Sequence, residues 1–81
     1  MLLLSKESKL PPVAVLDRAS SFFGEEGLGL DVVERSETCI TFSGGGGYVT
    51  VKCKDQGSSF FDIEVETREW DYHVKEFLSN I

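Results

Sequence analysis

The residue with the widest chemical range in this sequence is His73, the only histidine. Imidazole changes charge near neutral pH and can serve as acid, base or metal ligand. His73 falls between Trp70 and Phe77 on the apolar stripe of a predicted helix. It could be a core histidine bonded to a backbone carbonyl or to Tyr48, a ligand contact, or a catalytic residue paired with a carboxylate. No second histidine or closely spaced cysteine pair accompanies it, so the sequence predicts no metal site and no cofactor.

The two cysteines, Cys39 and Cys53, are too few for a disulfide scaffold and lack the spacing of a redox motif. The predicted strand register places Cys53 on the core face and Cys39 on the polar face. A nucleophilic Cys39 would need a base within hydrogen-bonding reach, and His73 is expected on the core side. We therefore expect two free thiols and predict no catalytic residue.

A run of four glycines, Gly44, Gly45, Gly46 and Gly47, resembles phosphate-binding loops in composition only. Phosphate loops join a strand to a helix, and no Lys-Ser or Lys-Thr pair follows here. The run instead joins two predicted strands. It is interpreted as a flexible hairpin loop or a place of close backbone approach, and a flap over a pocket is a further alternative.

Acidic side chains alternate along one predicted strand, at Asp62, Glu64 and Glu66, and continue to Glu69 and Asp71. Hydrolysis by paired carboxylates would require two of them in a cleft with separated pKa values. An open sheet face offers no cleft, so a solvated polar face is expected. The sequence does not favour an enzyme.

Helical spacing appears twice. A prolyl pair, Pro11-Pro12, predicts the start of a first helix, and Gly24 suggests a left-handed cap at its end. Thr67 is available as the N-cap of the second helix. The expected core-facing residues are Val15, Leu16, Ala19, Phe22 and Phe23 on the first helix, and Trp70, His73, Val74, Phe77, Leu78 and Ile81 on the second.

Between the helices, apolar residues alternate with a period of two, which predicts four antiparallel strands. The expected neighbours are Leu30 with Phe42, Val32 with Ile40, Phe42 with Val49, Ile40 with Val51, Cys53 with Phe61, and Lys52 with Asp62. This register puts turns at 35–37, 44–47 and 55–59. The first residues could add a short fifth strand, giving an α+β domain of order (β)αββββα over residues 1–81.

The chain carries 14 acidic and 8 basic residues, a formal charge of -6. This charge disfavours nucleic acid and anionic membranes as partners. The opening apolar run ends at Ser5, too short for a signal sequence or membrane span, so a cytoplasmic protein is expected. A domain of this size buries only about 60–65% of its unfolded surface, which makes a partner or a homodimer plausible.

Four segments together resemble the START-like, polyketide-cyclase type of helix-grip domain: residues 2–5, the KLPPV segment at 9–13, the strand at 64–66, and the helix at 74–78. The chain is much shorter than that family's members. The resemblance implies a sheet with a long C-terminal helix packed against it.

The first functional hypothesis is a small non-catalytic binding module with an apolar crevice between sheet and C-terminal helix, lined by Trp70, His73, Phe77, Phe42 and Val51. It would take a small apolar ligand or a partner segment. An interaction domain that docks through the outward side of the sheet, near Phe60 and Tyr48, is the second hypothesis. An enzyme using His73 with a carboxylate is the third.

Overall fold

A computed structural model describes residues 1–55, 57 and 59–81. The order of elements is β-α-β-β-β-β-α, as expected for the α+β arrangement, and the fifth strand is present. The elements are β1 (Leu2–Ser8), α1 (Pro12–Phe23), β2 (Asp31–Arg35), β3 (Cys39–Gly44), β4 (Gly47–Asp55), β5 (Phe61–Arg68) and α2 (Asp71–Ser79).

The strands form one antiparallel sheet in the order β1-β5-β4-β3-β2. β2 to β5 follow one another as a meander, whereas β1 lies beside β5, the strand farthest from it in sequence. The β1–β5 register is continuous from Leu2 opposite Thr67 to Ser8 opposite Phe61. The first and last strands of the chain are therefore neighbours, and β1 and β2 are the two edges.

The β3–β4 register is as predicted, with Phe42 opposite Val49 and Ile40 opposite Val51. The predicted β4–β5 register is wrong by two residues, because Cys53 faces Ile63 rather than Phe61. β4 continues to Asp55, which the sequence had assigned to the loop; positions 56 and 58 of that loop lie outside the described residues. A shift of two leaves every side chain on its expected face, so apolar alternation could not distinguish the two registers.

The predicted β2–β3 register is wrong as well. A register shift between Val32 and Glu34 inserts a bulge, so that Val32 faces Phe42 and Arg35 faces Ile40. Leu30 lies before the strand and is buried, whereas Val32 remains 50% exposed. β2 runs through Arg35, which the sequence had placed in the turn, so the register beside the turn is displaced by three residues. The bulge adds one residue to β2 and reduces the displacement to two at Val32.

Both helices pack on the same face of the sheet, and Phe23 joins them. Its ring centroid lies 5.5 Å from that of Phe42 on β3 and 5.3 Å from that of Phe77 on α2. The apolar core consists of Val15, Leu16, Ala19, Phe23, Leu30, Ile40, Phe42, Val49, Val51, Cys53, Ile63, Val65, Val74, Phe77 and Leu78. In the part of the chain that is described, no helix is long and apolar enough to span a membrane.

The ends of α1 depart partly from expectation. Pro12 begins the helix, as proline suits a position whose N–H needs no helical partner. Gly24 ends it in an extended conformation, not the left-handed one predicted, and its N–H donates to the Ser20 carbonyl. The left-handed glycine of this connection is Gly29, with φ 81°.

α2 has only nine residues, from Asp71 to Ser79, so the long C-terminal helix that was expected is wrong. It begins after Trp70, and Thr67 is therefore not its N-cap. The Thr67 hydroxyl is buried in β5 and donates to the Tyr48 carbonyl at 2.8 Å. Between strand and helix, Glu69 adopts φ 78°, the left-handed region that side chains with a Cβ disfavour. This residue makes the sharp change of direction that returns the chain over the sheet.

The C-terminal end of α2 is held by cations from other elements. Lys6 on β1 donates its Nζ to the Leu78 carbonyl at 2.8 Å, and Arg18 on α1 donates to the Asn80 carbonyl at 3.1 Å. The last carbonyls of a helix lack intrahelical donors. A positive charge near them is also attracted by the negative end of the helix dipole. The last turn of α2 carries no basic residue of its own, so its end depends on β1 and α1.

Glu69→Gly should raise the free energy of unfolding by about 1 kcal/mol, because glycine adopts positive φ without the Cβ penalty. Glu69→Ala is the matched control: it also removes the carboxylate but keeps the Cβ, and should give no such gain. Chemical denaturation of the three proteins measures the difference. Equal stability of the glycine and alanine variants would show that backbone strain at this corner is negligible.

Candidate functional site

The five residues predicted to line a ligand crevice lie in two places. Phe42 and Val51 have 0% exposed surface and Phe77 has 2%, so they belong to the packed core beneath the helices. Trp70 and His73 lie together at the start of α2, partly buried, with ring centroids 5.3 Å apart. A ligand could reach Phe42 and Val51 only if the core opened.

At the start of α2, Trp70 lies against the glycine turn between β3 and β4. Its indole Nε1 donates to the Gly44 carbonyl at 3.0 Å. A Cβ on Gly45 would lie 2.6 Å from the Trp70 ring, and one on Gly47 would lie 2.0 Å from the Arg68 carbonyl oxygen. Side chains at Gly45 and Gly47 would collide with the β5–α2 connection, which supports close backbone approach as the reason for the glycine run.

The turn itself is shorter than predicted. Gly44 and Gly47 form the last register pair of the hairpin, leaving Gly45 and Gly46 as a two-residue loop. Both have positive φ, 60° and 83°, as a type I′ turn requires. The predicted four-residue loop is therefore a tight turn whose outer members belong to β3 and β4.

His73 lies between two aromatic rings at the surface. Its ring centroid is 5.3 Å from that of Trp70 and 5.4 Å from that of Tyr72, both in edge-to-face arrangement. Tyr48 is not its partner, because Tyr48 lies on the sheet face opposite the helices and donates its hydroxyl to Glu66 at 2.6 Å. The hydrogen bond to Glu66 raises the pKa of Tyr48.

The helix-free face of the sheet carries the alternating carboxylates Asp62, Glu64 and Glu66, and all three are partly buried where a fully solvated face was expected. Lys52 faces Glu64 and Lys54 faces Asp62, which corrects the predicted Lys52–Asp62 pair. Lys54 reaches diagonally to Glu64, with Nζ 2.9 Å from a carboxylate oxygen. The hydrogen bond to Glu64 raises the pKa of Lys54. Glu64 and Glu66 line a hollow of about 240 Å³ together with Lys52 and Lys54, which corrects the expectation that this face offers no cleft. Glu64 is paired with Lys54 and Glu66 accepts from Tyr48, so both carboxylates are already engaged.

Cys39 and Cys53 are free thiols on opposite faces of the sheet, as predicted. Cys53 is buried in the core, and burial raises the pKa of its thiol to about 11, with a smaller contribution from the nearby Cys39. Cys39 lies opposite Lys52 on the helix-free face and is partly exposed. A thiol held in its protonated form is a poor nucleophile, so Cys53 is structural.

A groove that the sequence analysis missed lies between α1 and the end of α2. Its volume is about 460 Å³, and Phe22 and Phe77 form its floor together with Ile81. Polar residues make up the remainder of its lining: Asp17, Arg18, Ser21 and Asn80. The only signal in the sequence was that Phe22 and Ile81 lie near the C-terminal ends of the two predicted apolar stripes. Periodicity alone does not show that the two ends meet.

The charged side chains at this groove already have partners. Arg35 on β2 lies 3.2 Å from the Asp17 carboxylate, and Arg18 donates to the Asn80 carbonyl. The charged groups of Asp17 and Arg18 are thus already bonded at the rim of the groove. The apolar part of the lining consists of aromatic and aliphatic side chains. This arrangement suits an apolar group better than an ion.

Within residues 1–55, 57 and 59–81, no three His, Cys, Asp or Glu side chains are placed to hold a metal ion. No protein-family model matches the sequence, and no curated protein matches it.

Gly45→Ala should destabilise the domain by about 2–3 kcal/mol and Gly46→Ala by about 1 kcal/mol. Both substitutions put a Cβ at positive φ, but only the one at Gly45 meets Trp70, whereas nothing lies within 4 Å of the Cβ at Gly46. Chemical denaturation gives the stabilities, and Trp70 emission should shift only in the Gly45 variant. An unchanged emission spectrum there would contradict the Trp70 contact.

Cys39 should react with a small aromatic disulfide reagent in the folded protein, whereas Cys53 should react only after unfolding. Cys53 is buried, and burial raises the pKa of its thiol to about 11. Reaction of a Cys39→Ala variant followed from neutral to alkaline pH measures Cys53 alone, and Cys53→Ala is the counterpart. Rapid labelling of folded Cys39→Ala at neutral pH would contradict this assignment.

Proposed function

We propose that this domain is a small non-catalytic binding module whose apolar ligand lies in the groove between α1 and α2. The observation that carries the proposal is an open groove of about 460 Å³ with Phe22, Phe77 and Ile81 as its floor. Small-molecule sites are commonly hollows of about 300–1,000 Å³ with mostly apolar linings and a few polar groups. The site thus moves from beneath α2, as the sequence suggested, to the side of α2.

The floor of the groove is held in place by the core. The Phe22 ring lies 4.9 Å from that of Phe23 and 5.8 Å from that of Phe77, between centroids. Phe23 and Phe77 are themselves buried against the sheet. A ligand would therefore meet a formed surface and would not have to order these rings, which reduces the entropic cost of binding.

The polar rim limits what the ligand can be. Asp17 is paired with Arg35, so an incoming charged group would have to displace an existing ion pair. Ser21 and Asn80 remain at the rim as groups able to hydrogen-bond. A small neutral molecule with an apolar body fits this chemistry, as would one apolar side chain of a partner segment.

The resemblance to START-like domains supports ligand binding near the C-terminal helix. In this chain the space directly beneath α2 is filled by buried residues such as Phe42, Val51 and Val74. The proposal therefore keeps the helix as one wall of the site but uses its outer side. His73 is at the opposite end of α2 from Asn80 and Ile81, which separates it from the proposed ligand and disfavours the enzyme hypothesis.

Titration with the neutral fluorophore N-phenyl-1-naphthylamine should give a saturable rise in its emission. Ser21→Arg places a long charged side chain at the rim, where Ser21 is exposed, and should weaken binding about tenfold by covering the apolar floor. Ser59→Arg makes the same change at an exposed loop position and is the matched control. His73→Gln should bind like the unmodified protein.

Two results would contradict this function. One is a linear, unsaturated response of the unmodified protein across the solubility range of the fluorophore. The other is equal affinity in the Ser21 and Ser59 variants, which would place the fluorophore elsewhere on the domain. Circular dichroism of each variant establishes that the fold is intact before affinities are compared.

A further inference from the structure

The two edges of the sheet differ in how well they are protected from pairing with another strand. An edge strand presents unpaired N–H and C=O groups, and proteins usually block it with charges, bulges or proline. β2 has both a bulge, between Val32 and Glu34, and three charged residues among its five. Its backbone is therefore a poor template for a further strand.

β1 lacks these devices over most of its length. It runs in unbroken register with β5 from Leu2 to Ser8, and its charged residues are confined to Lys6 and Glu7. No proline lies within it. Among the described residues, the seven-residue strand pairs with β5 on one side and with no strand on the other. Its outer edge is therefore regular and open in this part of the chain.

Apolar surface flanks this edge on both faces of the sheet. On the helix-free face, Leu3 is 63% exposed and Met1 is 90% exposed. On the helical face, Leu4 and Leu78 line a hollow of about 290 Å³ that also includes Lys75. When a strand is added to the edge of a sheet, its backbone hydrogen-bonds to the free edge and its side chains contact apolar surface on both faces of the sheet. The outer edge of β1 offers both kinds of contact.

We infer that β1 pairs antiparallel with β1 of a second copy of this chain, joining two five-stranded sheets into one. A two-fold axis at Ser5, the middle of Leu2–Ser8, brings the whole strand into the pairing. Leu3 then faces Glu7 of the partner subunit, and Leu4 faces Lys6 of the partner subunit. An axis perpendicular to the sheet keeps both pairs of helices on the same face.

Charge favours this occupant and this register. With the axis at Ser5 no like charges are directly opposed, whereas an axis at Lys6 would oppose two lysines. The charged residues of β1 are Lys6 and Glu7, and Lys75 lines the hollow beside it, in a chain of net charge -6. β1 itself carries no net charge, so pairing two copies of this strand adds no repulsion between like charges along it. This pairing is independent of the groove between the helices.

Sedimentation velocity and light scattering from micromolar to millimolar protein test the inference. The mass should rise with concentration from 9.0 kDa to twice that value. Ser5→Lys opposes two lysines at the axis and should raise the dimer dissociation constant about fivefold or more. The new amine faces Glu64 on β5, so the monomer should keep its thermal stability. Val33→Lys adds the same charge to the exposed edge strand β2 and should leave the dimer unchanged.

A mass of one chain at every concentration would overturn the inference. A dimer that survives Ser5→Lys but is lost in Val33→Lys would also overturn it, since association would then use β2. If both lysine variants dimerise normally, the interface lies on neither edge and the inference is equally wrong.

Discussion

The packing of Phe23 between Phe42 and Phe77 is the contact on which the rest of this structure depends. One helix is too narrow to cover a five-stranded sheet, so two helices from opposite ends of the sequence share its apolar face. Phe23 lies where they meet the sheet. Phe23 occupies the space above β3, so the adjacent Phe22 cannot pack there and remains partly exposed. Phe22 therefore lines the groove between the helices.

Much of this fold could be predicted because helices and strands have distinct apolar periods. The buried side of α1, the β3–β4 register and the opposite faces of Cys39 and Cys53 follow from side-chain spacing. On α2 the spacing is right for Val74, Phe77 and Leu78, whereas His73 is only partly buried. Two features escaped that reasoning. A β4–β5 shift of two preserves every face, and the bulge at Val32 comes from backbone geometry that no alternation encodes.

The functional surface was less accessible to prediction because it depends on how separate elements approach one another. The indole of Trp70 was expected in a crevice, yet its N–H is used by the Gly44 carbonyl, a partner 26 positions away. The groove at Phe22 and Ile81 needs the ends of two helices to meet, which periodicity within each helix does not specify. Likewise, the end of α2 depends on Lys6 and Arg18 from other elements, since its own last turn has no basic residue.

The position of β1 beside β5 also bears on how the chain folds. Leu2 must find Thr67 across almost the whole sequence, whereas the hairpins of the meander close over short loops. Closing a long loop costs more entropy than closing a short one, and folding slows as contacts become less local. The meander can therefore form before β1 joins it, and until that moment β5, which carries Ile63 and Val65, is an open edge. The period before β1 docks is when this chain is most exposed to aggregation.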